Sequence, residues 1–393
     1  MEDRSVRQKA LLLLALVAAT TIYAWILPQR YVTPDEGAHL MSARRILLGE
    51  FPVVDYSSRQ PFYVLVHAIP QIIFGQSLDA GRWVSIVMTL GAGLLAFSMA
   101  RGRNGFAGPL AAMFFLFSPL TIHYATVVQT QPVVIVTSGL AVLLAIRKRG
   151  NWDYLVGLLL AASFYVRESG HAATATILIV FLFSREWRRM RNVIMGYLGG
   201  ILICYLIYAT RLSPLAFWDS RLNPAWLVVF SLRKLMWKFA STDSTSDEMP
   251  DETGVMEETT ETGGDFLFEP DSYLFLIIAA RMLFGPIALF AAGWALGVPR
   301  RLGEVGKQTA IMVTTWLFFL ALFYAYWYAV RGFYPGYLRE FELPMAVLGG
   351  LVVGHTIEKT GLRFWHAAPL AAFLVVAVQI TRLRFPIWIE PLT

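Results

Sequence analysis

LLLLALVAATTIYAWIL, residues 11–27, is a run of seventeen residues without a charge. With its flanks it reaches the length a helix needs to cross a hydrocarbon core of about 30 Å. Behind it stands MEDRSVRQK, with three basic residues. A cleaved signal peptide would be followed by a small-x-small site, and none follows here, so the run reads as an uncleaved first helix. Counting this run as 10–27, apolar runs recur near 83–100, 105–122, 132–146, 152–166, 171–184, 192–210, 273–297, 308–330, 341–357 and 365–381. Composition agrees. Hydrophobic residues make up 56% and charged residues 15% of the 393, where a soluble globule carries about 25% charge. Too little polar material remains to cover a water-exposed surface. A soluble enzyme, a disordered chain and a collagen-like fibre are excluded, and an all-α polytopic membrane protein of about eleven transmembrane helices is expected.

The net charge of +6 is no argument for nucleic acid, because in a membrane protein the position of charge matters more than its sum. With the N-terminus inside, the inside segments hold 17 Lys and Arg in 38 positions and the outside segments 15 in 153. This positive-inside bias puts the N-terminus in the cytoplasm, the C-terminus outside, and two long loops, 28–82 and 211–272, on the extracytoplasmic face. Cys204 is the only cysteine, so neither an intrachain disulfide nor a thiolate metal site is available.

The first long loop carries structure. Residues 35–49 read as an amphipathic helix, with Asp35, His39 and Ser42 on one face and Leu40, Ala43 and Leu47 on another. PFYVLVHAIPQIIFG, 61–75, is apolar, short for a span and interrupted by Pro70, which suits an interfacial or re-entrant helix. The second long loop changes character. Residues 241–272 contain eleven acidic residues and no Lys or Arg, which reads as a flexible, solvated spacer. It lacks the Asp-x-Asp-x-Asp-Gly spacing of a calcium loop. The chain thus divides into a module over 1–210 with a structured first loop (28–82), an outer loop over 211–272, and C-terminal helices over 273–393.

The densest polar constellation lies in the first loop: Asp35, Glu36, His39, Arg44, Arg45, Glu50, Asp55, Arg59 and Gln60. A structural reading makes Asp35 an N-cap, with Glu36 complementing the helix dipole. A functional reading makes one carboxylate a general base, partly desolvated at the bilayer surface. Arg167-Glu168 lies between two outward helix ends. Arg167 is there either a snorkelling cation or a holder of an anionic headgroup, a task that suits the bidentate guanidinium. In RGFYPGYLREFELP, 331–344, the aromatics read as interfacial, and Arg331 and Arg339 as cations within reach of a phosphate.

The string from PDEGAHLMSARRILLGEFPVVD to RQPFYVLVHAIPQIIFG, followed by Arg82 at the next span, resembles the first extracytoplasmic loop of the GT-C glycosyltransferases. The nearest pattern is that of the protein O-mannosyltransferase and aminoarabinose-transferase superfamily. It runs as a DE pair, a polar residue one turn later, G-[DE]-x-P, a second Asp and a Pro-aromatic stretch. Here it is met by Asp35, Glu36, His39, Gly49-Glu50-Phe51-Pro52, Asp55 and Pro61-Phe62-Tyr63.

The resemblance implies a GT-C-like bundle that takes a sugar from a polyprenyl-phosphate carrier and passes it, with inversion, to a protein, glycan or lipid acceptor outside the membrane. It implies Asp35 as base, with Glu36 and Asp55 as further catalytic candidates. It implies His39, Arg59, Arg167, Tyr337 and Arg339 as substrate-binding residues. The family's Lys before the Pro is replaced by Gln60, and its Asp at the second outer turn by Gln129 and Gln131. No cofactor is implied, and a divalent metal is left open. Two non-enzymatic readings compete: a lipid or solute transporter, which needs polar groups near the bilayer midplane, and an inert scaffold subunit.

Overall fold

A computed structural model describes residues 2–56, 60–101, 106–218, 220, 222–224, 302–331 and 335–359. The expected spans at 273–297 and 365–381, the acidic segment 241–272 and Arg59 lie outside the described residues. The described residues form helices and turns, with one isolated bridge between Pro52 and Tyr56. The helices are α1 (Glu2–Ile26), α2 (Pro34–Leu47), α3 (Pro61–Phe74), α4 (Leu78–Ala100), α5 (Ala107–Leu116), α6 (Pro119–Tyr124), α7 (Gln131–Arg147), α8 (Trp152–Phe164), α9 (Gly170–Phe183), α10 (Trp187–Tyr208), α11 (Pro214–Trp218), α12 (Glu304–Arg331) and α13 (Arg339–Lys359). Among the described residues, four stretches are long and apolar enough to cross a membrane: Val6–Gln29, Leu78–Ala100, Trp187–Tyr208 and Val305–Tyr326.

One expected span is broken. Residues 105–122 form α5 and α6, with Ser118 extended at ψ 138° between them. Pro119 is the cause, since its ring disfavours helical geometry at the preceding residue. The break frees backbone groups that would otherwise be spent in the helix. Tyr23 of α1 donates its hydroxyl to the Leu116 carbonyl at 2.6 Å.

Apolar side chains gain nothing by leaving lipid for one another, so membrane helices associate where small residues let backbones approach. Two such seams organise this bundle. On α8, a Cβ built at Gly157 would stand 2.1 Å from the Val193 carbonyl oxygen of α10, and one at Gly196 would stand 2.1 Å from the Tyr154 oxygen. Gly200 lies one turn further on, against Ala161. On α13, Gly350 and Gly354 meet Ala107 and Ala111 of α5 in the same way.

The two ends of the bundle are chemically distinct. At one end Arg189 chelates the buried Asp153, with contacts of 3.0–3.3 Å, and donates to the Ala145 and Lys148 carbonyls. This ties α7, α8 and α10 together. The opposite end gathers the exit of α1, α2, the starts of α3 and α4, the α6–α7 and α8–α9 turns and the start of α13. Asp35, Glu36, His39, Asp55, Arg167, Tyr337 and Arg339 all lie on or between these elements.

Candidate active site

Helix α2 begins at a capping box. Thr33, not Asp35, is the N-cap: its hydroxyl accepts from the Glu36 N–H at 3.3 Å, and the Glu36 carboxylate accepts from the Thr33 N–H at 3.1 Å. Pro34 occupies the first helical position, where its missing N–H costs nothing. This register corrects the expectation that Asp35 caps the helix. It also shifts the expected faces: the buried positions are Glu36, His39 and Ala43, while Asp35, Met41, Leu47 and Leu48 are exposed. A polar inner face is stable because each buried polar group there meets a partner.

Glu36 is fully buried and faces Arg82 of α4. Two parallel bonds join them, Nε to Oε1 and Nη2 to Oε2, both 2.9 Å. Glu36 also accepts from the Val128 N–H at 3.1 Å. Arg82 spends its other donors on the carbonyls of Leu27, Arg30 and Tyr31. Burial alone would raise the Glu36 pKa. The Arg82 hydrogen bonds, the Thr33 and Val128 N–H groups and the guanidinium charge outweigh it and hold the carboxyl below its usual range. Glu36 is therefore an ionised brace between α2, α4, the α1 exit and the α6–α7 turn. Asp35, its neighbour in sequence, is left exposed in the first helical turn.

The rest of the first loop packs around this helix. His39 is buried edge-on against Tyr63 of α3, at 4.9 Å between rings, and Tyr63 meets His67 in the same manner. Glu50 pairs with Arg45 at 2.5 Å, and Arg45 lies over the Tyr56 ring. Asp55 is exposed, yet its carboxylate closes a tight turn by accepting from the Phe51 N–H at 2.7 Å. In that turn Val53 has a φ of 72°, a strained conformation for a β-branched residue. The Tyr208 hydroxyl of α10 holds the turn through the Pro52 carbonyl.

Arg167, in the α8–α9 turn, is the centre of a second group. Its Nε lies 3.2 Å from Glu340 Oε1, and its Nη1 donates to the Thr130 hydroxyl at 2.7 Å. Its guanidinium carbon lies 4.6 Å from the centre of the Tyr337 ring. The Tyr324 hydroxyl of α12 donates to the same Glu340 oxygen at 2.6 Å. The structure thus brings Arg167 together with Tyr337, Thr130, Tyr324 and Glu340. The two groups are neighbours. Val128 holds Glu36 and Thr130 holds Arg167, and two residues span at most about 7 Å. Gln60 reaches Glu168 at 3.4 Å, and the Phe62 N–H donates to the Tyr165 carbonyl, which brings the start of α3 to the same turn.

Arg339 lies elsewhere. It is fully buried and donates to the Tyr124 carbonyl at 2.9 Å and the Thr89 hydroxyl at 2.5 Å. On the same helix, Glu342 accepts from the Ser118 and Thr121 hydroxyls at the α5–α6 break. These contacts make Arg339 a brace across α4, α6 and α13 in this conformation. Among the described residues, no three His, Cys, Asp or Glu side chains converge as a metal ion would require.

Known proteins can be set beside this geometry. Residues 58–213 match the dolichyl-phosphate-mannose-protein mannosyltransferase family. No curated protein sequence matches significantly. Among solved structures, the fold is similar to ArnT from Cupriavidus metallidurans in the apo state, at 14% identity and a TM-score of 0.57, covering 94% of this chain and 71% of that one. ArnT bound to undecaprenyl phosphate aligns at 15% identity and a TM-score of 0.54, covering 94% of this chain and 70% of that one. The archaeal oligosaccharyltransferase AglB from Archaeoglobus fulgidus, in complex with an inhibitory peptide and a dolichol-phosphate, aligns at 12% identity and a TM-score of 0.57. That alignment covers 95% of this chain and 55% of AglB. The chain has the GT-C membrane fold that its first loop resembles. The glycosyltransferase reading agrees with both the matched family and the fold neighbours.

Proposed function

We propose that this protein transfers a sugar from a polyprenyl-phosphate carrier to a hydroxyl of an acceptor, with Asp35 as the base, at the extracytoplasmic face assigned by the Lys and Arg bias. The observation that carries the base assignment is the division of labour in the DE pair. Glu36 is consumed by Arg82 and two backbone donors, whereas Asp35 stands exposed on the helix that this brace holds.

In the reaction, Asp35 takes the acceptor hydroxyl proton as the oxygen attacks the anomeric carbon. The bond from that carbon to the phosphate oxygen breaks on the opposite side, so the configuration inverts. The leaving phosphate gains charge, and Arg167 faces it, supported by Thr130 and Tyr337. The polyprenyl tail lies in the bilayer beside the helices. The matched family, the undecaprenyl phosphate bound to ArnT and the dolichol-phosphate in the AglB complex support this donor class.

Asp35→Asn tests the assignment. A lost base lowers turnover by about 10²–10⁴-fold and leaves donor binding largely intact. The comparison uses purified, folded protein and a polyprenyl-phosphate sugar, with transfer and binding measured separately. Transfer at the parent rate would remove Asp35 from the mechanism.

A further inference from the structure

Two buried arginines at this end of the bundle hold a carboxylate, and they hold it differently. Arg82 grips Glu36 through both oxygens at 2.9 Å, and two backbone N–H groups add to the grip. Arg167 touches Glu340 through one oxygen at 3.2 Å, and that oxygen is already engaged by the shorter bond from Tyr324. The Arg82 side chain is 3% exposed and the Arg167 side chain 10%. The first pair is closed on all sides. The second is a single 3.2 Å contact, on a guanidinium whose carbon lies 4.6 Å from the centre of the Tyr337 ring.

A guanidinium is built to take two oxygens of one planar or tetrahedral anion. A lone carboxylate oxygen at 3.2 Å leaves that capacity unspent. A phosphate offering two oxygens to the guanidinium would outcompete it. Glu340 would not be stranded by the exchange, because the Tyr324 hydroxyl already donates to it and the Ser169 hydroxyl lies beside both residues.

We propose that Glu340 is a displaceable counter-anion, occupying Arg167 until the carrier phosphate takes its place and returning to help expel it. The inference rests on the donor reading above. It differs in assigning Glu340 a role in carrier exchange that opposes binding, where a purely supporting residue would favour it.

The test is direct binding of undecaprenyl phosphate to the purified full chain at one fixed pH. Neutralising the competitor in Glu340→Gln should tighten binding roughly ten-fold, about 1.4 kcal/mol. The gain should vanish in an Arg167→Met background. Tyr324→Phe frees the shared oxygen to grip Arg167 and should weaken binding several-fold, and it remains informative if Glu340→Gln fails to fold. A folded Glu340→Gln that binds no tighter than the parent, or a Tyr324→Phe that binds no more weakly, overturns the proposal and leaves the donor reading standing. A parent that binds no polyprenyl phosphate at all overturns both.

Discussion

Replacing Arg82 by methionine should damage the fold more than the loss of one ion pair would suggest, and a second substitution should undo part of the damage. In the parent, Arg82 satisfies both Glu36 oxygens and three carbonyls of the α1 exit. In Arg82→Met the Glu36 carboxylate stays buried with only the Thr33 and Val128 N–H groups. Removing one partner of a buried pair costs about 3–5 kcal/mol, or two to four decades in the folding equilibrium. Glu36→Gln in that background discharges the site and keeps an oxygen for one of the two N–H groups, which meet different carboxylate oxygens. What remains lost is the acceptor of the other N–H and the donors to three carbonyls, at about 0.5–1.5 kcal/mol each where water does not replace them. The double-mutant cycle should therefore return a coupling of about 1–3 kcal/mol, in the range of residues in direct contact. Unfolding by sodium dodecyl sulfate in mixed micelles, followed by tryptophan fluorescence and circular dichroism, measures all four corners. Additive effects, or an Arg82→Met protein as stable as the parent, would refute the reasoning that Glu36 is an ionised structural brace.

Gly196→Val should prevent stable insertion or lower thermal stability sharply, because its Cβ would enter the Tyr154 carbonyl; Gly199→Ala, with open space at that position, should leave the melting temperature of the purified protein unchanged. Single cysteines at Ser57 and Ser244 in a Cys204→Ser background should react with an impermeant maleimide on intact cells, and reaction only after lysis would invert the topology drawn from the Lys and Arg bias.

The fold was legible where the bilayer dictates it. Runs such as 10–27 and 192–210 surface as α1 and α10 because spanning a membrane leaves a helix no alternative way to satisfy its backbone. The break inside 105–122 carried its own sign in Ser118-Pro119, but the hydropathy of the run, apolar on both sides, conceals it. The faces of α2 were misjudged for a related reason. Periodicity assigns leucines inward and charges outward, a rule for helices on water. At a bilayer surface Leu47 and Leu48 can stay exposed, while Glu36 turns inward to an arginine 46 residues away.

The candidate site is legible by residue type more than by role. Asp35, Arg167 and Tyr337 stand out as candidates because charged and aromatic residues at the ends of apolar runs are few. The partners that decide their roles were harder to see, since pairing across 221 to 250 positions, as in Glu342 with Thr121 or Arg339 with Thr89, leaves no trace in spacing. One signal was available and was passed over. Glu340 and Glu342 sit at the mouth of an apolar run, and an ionisable group at membrane depth is a functional candidate by default. Applied to both carboxylates, that rule separates them by what they meet. Glu342 finds two hydroxyls of the broken helix, a fixed polar joint. Glu340 finds an arginine through a single oxygen at 3.2 Å, which makes it the one of the two whose partner could be exchanged for a substrate.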